Sequence, residues 1–299
     1  MRILCVGEIL WDVIVPAEHL GGAPLNFGAH AQKLGHEVFP ISAVGNDERG
    51  ERALHLLRQR GISTEFVQII PGKPTGTSEV ELNLDGKPTF AIVRPAAYDF
   101  VDLSASDLAR LAQLQPDWIA YGTLFHMSAQ ALASTMRLFQ ALPAAKRFYD
   151  INLRDENWNL VAVEQLSSQA TVVKLNDSEA ECLDASFDAE AGIDAIEGFC
   201  RRWIDRFHCE IVCVTCGDRG CAMLKDGEFT KLPGFHVEVA DTVGAGDAFS
   251  AAFVHGLSEG WTAPQIGRFA NGIGAVVAGK AGAIPDWSLE EVRTLMQSG

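Results

Sequence analysis

Short apolar runs alternate along the chain with stretches whose apolar residues recur at helical spacing. The opening run RILCVGE ends in glycine and is typical of a central buried strand. Helical spacing follows over residues 24–34 and 47–60, and Gly35 and Gly61 close the two stretches, as helix C-termini favour. The apolar run EVFPISAV between them predicts another strand.

The same alternation continues in the second half of the chain. Helical patterns cover residues 128–142 and 264–278. Further predicted strands cover residues 118–121, 148–151, 171–175 and 210–215. Strands that alternate with helices form a parallel sheet with helices on both faces, so the sequence predicts an α/β fold with a mainly parallel central sheet.

Two segments break the alternation. Residues 65–94 lack a helical pattern, and SEVELNL and PTFAIVR flank the turn at residues 85–87, which predicts a β-hairpin. With WDVIV, this hairpin is expected to form a small β-sheet lid from about residues 10–22 and 65–98. A second hairpin is predicted from CAMLK and EFTKL. Because no polar linker interrupts the pattern, residues 1–299 are expected to form a single domain.

Composition narrows the class of protein. The 299 residues are 47% hydrophobic, enough for a large core without disulfides or structural metal. No apolar run is long enough to span a bilayer, and MRILCVGEIL lacks the features of a leader, so we expect a cytoplasmic protein without a membrane partner. The formal net charge of −15 argues against a nucleic-acid partner but leaves a small anion such as a nucleotide open.

Four of the seven cysteines lie close together, at Cys209, Cys213, Cys216 and Cys221. The C-x-x-C spacing of Cys213 and Cys216 suggests a metal or redox site. No second C-x-x-C or paired histidines complete such a site, and EIVCVTC has the pattern of a buried strand. We therefore expect these thiols to pack in the core as small hydrophobic groups.

The segment DTVGAGDAF, followed by an apolar helical pattern, carries the strongest chemical signal. Gly244 and Gly246 let the backbone of the segment Gly244-Ala245-Gly246 approach a ligand, and the helix that follows adds its positive end. Asp247 falls in the first helical turn, beside the anion hole that these amides would form. The alternative is a tight glycine turn with Asp247 as a helix cap. A dinucleotide site is disfavoured because no βαβ unit surrounds the loop, and no P-loop motif occurs.

This segment resembles the C-terminal signature of the ribokinase-like, or phosphofructokinase-B-type, sugar kinases. GGAPLNFGAHAQKLGHEVFPISAVGNDERG is similar to the family's N-terminal signature, and KLNDSEA and TCGDRG match motifs between the two. The resemblance covers essentially the whole chain and is strongest to the fructokinase branch. It implies a three-layer α/β/α fold and phosphorylation of a small sugar by ATP, most simply fructose, with Asp247 as the catalytic base.

The resemblance also implies sugar contacts from Asp12, Gly22 and Asn26. An aspartate can accept two sugar hydroxyls, and an asparagine offers both donors and an acceptor. The alternatives are that Asn26 is a simple helix cap and that Asp12 is a solvated charge at a strand end.

Further substrate contacts are implied for Arg94, Asn152 and Arg154, because D-x-N-x-R resembles the fructokinase and ketodeoxygluconate kinase branches. Ile151 stands where the family usually has proline, which affects the loop that aims Asn152 and Arg154. Surface solvation is the alternative for the two arginines.

For the nucleotide, the resemblance implies ATP contacts from five residues and an ordered Mg²⁺. The contacts are Lys174, Asn176, Thr215, Gly217 and Asn271. Glu179 is expected to order Mg²⁺ through water, although its spacing from Asn176 also fits a capping box. Asp241, Val243 and Gly282 occupy the places where relatives hold a monovalent cation such as K⁺.

Several alternatives remain open at this point. A 2-keto-3-deoxygluconate kinase would need cations for the substrate carboxylate, and a ribokinase or nucleoside kinase would share the same machinery. A non-catalytic sugar-binding sensor would belong to a different class, but it would not need the base or the Mg²⁺ carboxylate. A homodimer could form by pairing of lid edges, unless Lys87 and Pro88 blunt that edge.

Overall fold

A computed structural model describes residues 1–14, 17–82, 88–154, 156–184 and 193–298. Its contacts divide the chain into two compact units. The first comprises Met1–Gln32 and His36–Ala145, and the second comprises Lys33–Gly35 and Lys146–Gly299. The sequence pattern had predicted a single domain with a lid.

The first unit contains strands, α-helices and two short 3₁₀ turns. The strands are β1 (Arg2–Val6), β2 (Leu10–Ile14), β3 (Ala17–Gly21), β4 (Glu37–Gly45), β5 (Val67–Ile70), β6 (Gly76–Leu82), β7 (Pro88–Val93) and β8 (Trp118–Gly122). The helices are α1 (Ala23–Lys33), α2 (Glu48–Gln59), α3 (Ala105–Gln113) and α4 (Ala129–Ala141), and the 3₁₀ turns are Ala97–Phe100 and Leu124–Met127.

Four strands of this unit pair in parallel in the order β8-β1-β4-β5. Ile3 of β1 lies between Val38 of β4 and Trp118 of β8, and all three side chains are buried. A strand covered on both faces is expected to be apolar throughout, which explains the unbroken run at the start of the sequence.

Four other strands form the predicted small sheet, in the order β3-β2-β6-β7. β2 pairs antiparallel with β3 and parallel with β6, and β6 pairs antiparallel with β7. This sheet uses residues 10–14, 17–21, 76–82 and 88–93, whereas β5, which lies within the predicted lid range, pairs with β4 instead. The predicted turn at residues 85–87 lies outside the described residues.

One carboxylate connects helix α2 with the start of strand β6. Asp47 is the N-cap of α2, and its Oδ1 accepts the Gly50 amide at 2.8 Å. The same side chain accepts the amide and the hydroxyl of Thr75, at 2.8 and 2.6 Å, and Thr75 immediately precedes β6. A helix cap therefore also anchors a strand of the small sheet.

A second contact joins α2 to strands β2 and β3. Glu18 of β3 accepts hydrogen bonds from Arg49 at 2.7 Å and from Arg52 at 2.8 Å, and the two arginines lower its pKa. The Arg52 guanidinium lies over the Trp11 ring of β2, 4.3 Å from its centroid, and Trp11 Nε1 donates to the Arg49 carbonyl. Helix α2 thus contacts strands β2 and β3 of the small sheet and the residue that precedes β6.

Within its described residues, the second unit contains five strands and six α-helices. The strands are β9 (Lys146–Asp150), β10 (Val172–Asn176), β11 (Ile211–Thr215), β12 (Cys221–Lys225) and β13 (Glu228–Leu232). The helices are α5 (Leu160–Ser167), α6 (Asp177–Leu183), α7 (Ile193–Phe207), α8 (Ala245–Ser258), α9 (Ala263–Ala278) and α10 (Leu289–Ser298), with a 3₁₀ turn at Gly217–Arg219.

These strands pair in the order β9-β10-β11-β12-β13. The first three are parallel, and the predicted late hairpin supplies the antiparallel strands β12 and β13. The parallel strands β9, β10 and β11 end at Asp150, Asn176 and Thr215, so these residues lie at the same edge of the sheet. Ligands of α/β sheets collect at this carboxyl edge.

The clustered cysteines are buried in this unit as free thiols, as expected for core residues. Cys213 lies within β11 and Cys221 begins β12, and neither is exposed. Burial raises the pKa of both Cys209 and Cys216 to about 12, which keeps these thiols protonated.

Among the described residues, no helix combines the length and apolar character needed to cross a membrane. In the same residues, no group of three or more histidine, cysteine, aspartate or glutamate side chains is arranged to hold a metal ion.

Candidate active site

The glycine turn before α8 has a conformation that only glycine adopts readily. Gly244 is the N-cap residue, with φ of 77° and ψ of −9° in the left-handed region. A Cβ at this position would lie 2.2 Å from the carbonyl oxygen of Ala283. Both the dihedral angles and the close backbone contact therefore require the first glycine of the motif.

The amides at the start of α8 differ in their bonding. The N-cap residue Gly244 has no side chain to cap the helix, and no side chain of the described residues accepts the Ala245 or Gly246 amide. The Ala245 amide donates to the Thr242 carbonyl at 3.3 Å, so one of the three proposed anion-hole amides has a partner within the protein. The Gly246 amide makes no hydrogen bond to any described residue. An exposed first-turn amide and the positive end of the helix favour an anion here.

Asp247 follows in the first turn of α8, as predicted, and is 9% exposed. It contributes to the electrostatic environment of Lys174 on β10, which also includes Asp150 and Glu179. Lys174 Nζ lies 3.1 Å from each carboxylate oxygen of Asp150. Burial alone would lower the pKa of Lys174, but the nearby carboxylates outweigh burial and raise it, so Lys174 is a cation.

The Lys174 ammonium lies against the glycine turn. A Cβ on Gly246 would be 3.5 Å from Nζ. An ammonium has three N–H donors, and the hydrogen bonds of Nζ within the described residues go only to the two oxygens of Asp150. The third N–H of Lys174 is therefore close to the loop amides, and it could hold the same phosphoryl group as they do.

Glu179 and Asn176 form the capping box that the spacing allowed. Glu179 Oε2 accepts the Asn176 amide, and Asn176 Oδ1 accepts the Glu179 amide, each at 2.8 Å. Glu179 Oε1 also accepts the Leu153 amide at 2.8 Å. The capping interpretation is therefore correct, and a second role must use the lone pairs that remain.

The donor set around Glu179 fits indirect binding of Mg²⁺. Burial raises the pKa of Glu179, and the Lys174 charge opposes this effect. Two of its carboxylate lone-pair sites accept amides, which leaves others for water. Mg²⁺ keeps several waters and needs few protein carboxylates, so the three carboxylates near Lys174 suit a hydrated cation better than direct chelation.

The three residues predicted for a monovalent cation lie together. Asp241 Oδ1 accepts the Val243 amide and Oδ2 accepts the Gly282 amide, each at 3.0 Å. This carboxylate fixes two loop segments next to the glycine turn. The role of their carbonyls in binding a cation remains a prediction.

The other predicted nucleotide residues occupy strand ends and a nearby helix. Thr215 ends β11 and donates to the Leu175 carbonyl at 3.4 Å, and Gly217 follows with φ of 58°. Asn271 of α9 is 8% exposed and donates to the Pro233 carbonyl at 3.0 Å. The structure assigns Asn271 a structural contact, and its nucleotide contact remains a prediction.

The D-x-N-x-R segment follows β9. Asn152 has φ of 45°, a left-handed conformation that asparagine tolerates. Arg154 is exposed, and its side chain makes no ion pair or hydrogen bond with any described residue. This cation is available for a negatively charged group.

In the first unit, the predicted sugar residues surround a second glycine turn. Gly22 has φ of 115°, and a Cβ there would lie 2.3 Å from the Glu8 carbonyl oxygen. A Cβ on Gly21 would lie 2.7 Å from Asp12 Oδ2. The two glycines therefore make room for the Asp12 carboxylate and for the backbone. Glu8 Oε1 accepts the Ala23 amide at 3.1 Å, at the start of α1.

Asn26 lies one turn inside α1 rather than at its cap, and it is 6% exposed. The Glu8 side chain caps the helix instead, so the simple-cap alternative for Asn26 is wrong. The amide side chain of Asn26 is buried near a glycine turn. Its role in sugar binding remains a prediction.

Arg94 already has partners in the first unit. It forms a partly buried ion pair with Asp99, to which Nε and Nη2 donate, and it donates from Nη1 to the Leu124 carbonyl at 3.0 Å. Its side chain is 18% exposed. These contacts fix the guanidinium and leave two of its five N–H donors for a substrate.

Sequence reasoning missed Glu8 and Asp150 as members of the two sites. Both are acidic residues next to the end of a predicted buried strand, and that position was the available signal. Their partners, Ala23 and Lys174, are distant in sequence or on another strand, so the contacts themselves required the structure.

Comparison with known proteins identifies the class of protein that this fold and site belong to. The structure matches that of a fructokinase with bound ATP from Xylella fastidiosa, with a TM-score of 0.84 and 23% identity, over 99% of this chain and 98% of that one. It also matches 2-dehydro-3-deoxygluconokinase from Thermotoga maritima, with a TM-score of 0.84 and 16% identity, over 99% of each chain. The fold is therefore ribokinase-like α/β, as the sequence predicted.

The pfkB family carbohydrate kinase model matches residues 4–289. In sequence, the chain is 30% identical to Fructokinase-1 of Oryza sativa subsp. japonica, over 93% of this chain and 88% of that protein. The chain belongs to the pfkB family of carbohydrate kinases. This membership confirms the expected class of ATP-dependent sugar kinase, and it disfavours the sensor alternative.

Proposed function

We propose that this kinase phosphorylates a hydroxyl of a small sugar, with fructose as the first choice, and that Asp247 is the catalytic base. One observation carries the proposal. Asp247 is buried in the first turn of an uncapped helix, directly after a glycine turn with an unbonded Gly246 amide and close to the Lys174 ammonium. This combination of anion-binding groups and a proton acceptor suits phosphoryl transfer.

In the proposed step, the sugar hydroxyl oxygen bonds to the γ-phosphorus of ATP as the bond from that phosphorus to the ADP oxygen breaks. The hydroxyl proton passes to Asp247, and ADP leaves with the electron pair of the broken bond. Phosphoryl transfer depends mainly on positioning and charge stabilisation. Asp247 would accept the hydroxyl proton, and the glycine turn would position the phosphoryl group.

The γ-phosphoryl group would be held by the Gly246 amide and by the Lys174 N–H that has no acceptor among the described residues. Asn176 has amide N–H donors that make no hydrogen bond with the described residues, and these suit the neighbouring phosphates. Mg²⁺, when bound, neutralises phosphate charge, and Glu179 would order it through water.

The sugar contacts are assigned to Asp12, Gly22 and Asn26 of the first unit. Gly21 and Gly22 leave room beside the Asp12 carboxylate, which can accept two hydroxyls. Fructose is preferred because the Gly21–Asn26 segment resembles the fructokinase branch and because the relative in rice is named a fructokinase. A monovalent cation such as K⁺ is assigned to the carbonyls of the loops that Asp241 joins.

A second candidate substrate is 2-keto-3-deoxygluconate. The exposed Arg154 side chain has no ion-pair partner among the described residues and could hold the substrate carboxylate. One of the structural matches is a kinase named for this substrate.

The test is ADP release with Mg–ATP across fructose, other ketoses, aldoses, 2-keto-3-deoxygluconate and nucleosides. We expect the highest kcat/KM with fructose. A preference for 2-keto-3-deoxygluconate that is lost in Arg154→Ala would favour the second candidate.

The catalytic base is tested with Asp247→Asn, which keeps the size of the side chain but removes its basicity. We expect kcat to fall by about 10²–10⁴-fold, because general-base catalysis contributes about that much. Nucleotide affinity, measured by calorimetry, should change little. Asp226→Asn in the exposed β12–β13 turn is the control. An equal loss of nucleotide affinity in Asp247→Asn would point to a structural role.

A further inference from the structure

The Ser250 hydroxyl links two parts of the second unit. Ser250 lies on α8 one turn after Asp247 and is 1% exposed. Its Oγ is 2.7 Å from Asp150 Oδ2 and 2.9 Å from the Gly246 carbonyl oxygen. Both neighbours are acceptors and the hydroxyl has one hydrogen, so Ser250 donates to one of them at a time or shares the hydrogen between them. Its Oγ therefore lies between Gly246, in the first turn of α8, and the carboxylate at the end of β9.

Asp150 in turn holds Lys174. Both of its oxygens lie 3.1 Å from Nζ, and the two side chains are largely buried, with exposed fractions of 14% and 8%. A buried ammonium without a counter-charge is strongly unfavourable. Asp150 thus stabilises the charged form of Lys174 as well as its position.

A flexible lysine needs such contacts to act at a fixed point. Lys174 has four side-chain carbons and a point charge, so its direction is set by what the ammonium touches. Asp150 takes two of its N–H donors, and the third has no acceptor among the described residues. Nζ lies against Gly246, which leaves this donor at the glycine turn.

We infer that Ser250 and Asp150 are positioning residues, which hold the Lys174 ammonium in register with the glycine turn so that both contact the γ-phosphoryl group. The inference rests on the proposed function for its effect on turnover. The effect of Ser250 on nucleotide affinity is a separate prediction, which can be tested without sugar turnover. The geometry gives Ser250 this role because its Oγ lies within hydrogen-bonding distance of both the Gly246 carbonyl and the carboxylate that holds the lysine, and its single hydrogen can be donated to either.

Loss of the hydroxyl should let Asp150 and Lys174 move relative to the loop. Misplacement of a catalytic group by about 1 Å can cost about 10²-fold in rate, so even a small shift has a measurable effect. The sugar contacts are assigned to other residues, so KM for the sugar should be unaffected. Discrimination between nucleotides with and without a γ-phosphate should fall.

The experiment compares Ser250→Ala with Ser250→Thr and with Ser258→Ala in the full-length chain. Ser258 is a matched control, because it lies on the same helix and its hydroxyl also donates to the carbonyl four residues earlier. Calorimetry measures the affinities for Mg–ADP and for Mg–AMP-PNP, and steady-state assays measure kcat and both KM values.

For Ser250→Ala we expect kcat to fall by about tenfold or more, with sugar KM unchanged, and the preference for AMP-PNP over ADP to fall by a similar factor. Ser250→Thr keeps a hydroxyl and should retain most of both properties. Ser258→Ala should match the unsubstituted protein. Equal values for Ser250→Ala and Ser258→Ala would overturn the inference.

A double-mutant cycle with Lys174→Met distinguishes an effect of Ser250 that acts through Lys174 from a merely structural effect. If Ser250 acts through Lys174, Ser250→Ala should have no further effect on AMP-PNP preference in the Lys174→Met protein. An undiminished effect there would contradict the inference. Asp150→Asn replaces Ser250→Ala in the same cycle if the alanine variant does not fold.

The two proposals can fail separately. If no sugar stimulates ADP release by the unsubstituted protein, the proposed function fails, while the AMP-PNP and ADP affinities still test the role of Ser250. If the protein turns over sugar normally but the affinity ratio is insensitive to Ser250 and Asp150, only the positioning inference fails.

Discussion

Two helices of this kinase begin at glycines with positive φ, and they differ in how their first amides are bonded. Helix α1 follows Gly22, and the Glu8 carboxylate accepts its first amide. Helix α8 follows Gly244, and among the described residues no side chain accepts its Ala245 or Gly246 amide. Both helices therefore begin at a glycine with positive φ. The first amide of α1 is bonded within the protein, whereas α8 leaves the Gly246 amide for a ligand.

The two helix starts also differ in the charge beside them, and this difference affects which ligand each one can bind. A carboxylate at the start of α1 occupies the positive end of that helix, so a phosphate is disfavoured there and neutral hydroxyl ligands are better suited. The start of α8 has Lys174 beside it and an unbonded Gly246 amide, which favour a phosphate. This difference between the two helix starts supports the proposal that the first turn binds sugar and the second binds the phosphoryl group.

Among substitutions that test the two helix starts, the largest expected effect on stability comes from Gly244→Ala. The substitution places a Cβ 2.2 Å from the Ala283 carbonyl oxygen and forces alanine into the left-handed region. We expect the free energy of unfolding to fall by about 3 kcal/mol from the combined strain and overpacking. We also expect kcat/KM to fall by about 100-fold, because the loop amides move.

The control for this substitution is Gly260→Ala, at the other end of α8. Gly260 has φ of 69°, but a Cβ there meets nothing within 4 Å. It should lose only the strain of about 1 kcal/mol, measured by chemical denaturation, with activity retained. Equal losses in the two variants would mean that the close contact at Gly244 is unimportant.

An intermediate effect is expected at the start of α1. Glu8→Ala removes the acceptor of the Ala23 amide, and loss of a helix cap costs about 1 kcal/mol. Because the cap fixes the turn that carries Gly22, sugar KM should rise several-fold while kcat changes little. Glu8→Gln keeps an amide oxygen as acceptor and should behave nearly like the unsubstituted protein. A similar rise in KM for both variants would show that the Glu8 charge matters, rather than the cap.

The smallest effect concerns α6, whose start is closed by the Asn176–Glu179 capping box. Burial raises the pKa of Glu179 above its ordinary value of 4.5, so the folded protein binds a proton more readily than the unfolded chain. Stability from this group is present below pH 4.5 and is lost as the pH rises through the folded-state pKa.

Glu179→Gln cannot titrate and should show a weaker decline of unfolding free energy with rising pH, measured by urea denaturation without nucleotide or metal. An unchanged slope of stability against pH would contradict the assignment of this titration to Glu179.

The sequence predicted much of the fold because local pattern determines it. The strands β1, β4 and β11 are mostly apolar runs, and Asp247 falls in the first turn of α8 as its motif indicated. The glycine turn at Gly244 was also predictable, because only glycine combines positive φ with a close backbone contact.

The rest depends on contacts between residues far apart in the chain. Strand β5 follows no helical or alternating pattern, and its pairing with β4 determines its place. In the sequence, Ser250 is a single polar residue in an apolar helical pattern. Its proposed role depends on its contact with the carboxylate of Asp150, which lies 100 residues earlier in the chain. Arg94 showed no sign of its ion pair with Asp99, which limits its donors for substrate.

Helix α2 meets the small sheet at separate places, through Asp47 with Thr75 and through Arg49 and Arg52 with Glu18. Neither the helix nor the sheet can open locally without breaking these bonds, so the two should form one cooperative unit of native-state opening. Slow amide hydrogen exchange should accordingly extend from α2 into β2, even though a small sheet at the surface would usually exchange rapidly. Preorganisation of the strand that carries Asp12 therefore depends on a helix that contributes no ligand contact of its own.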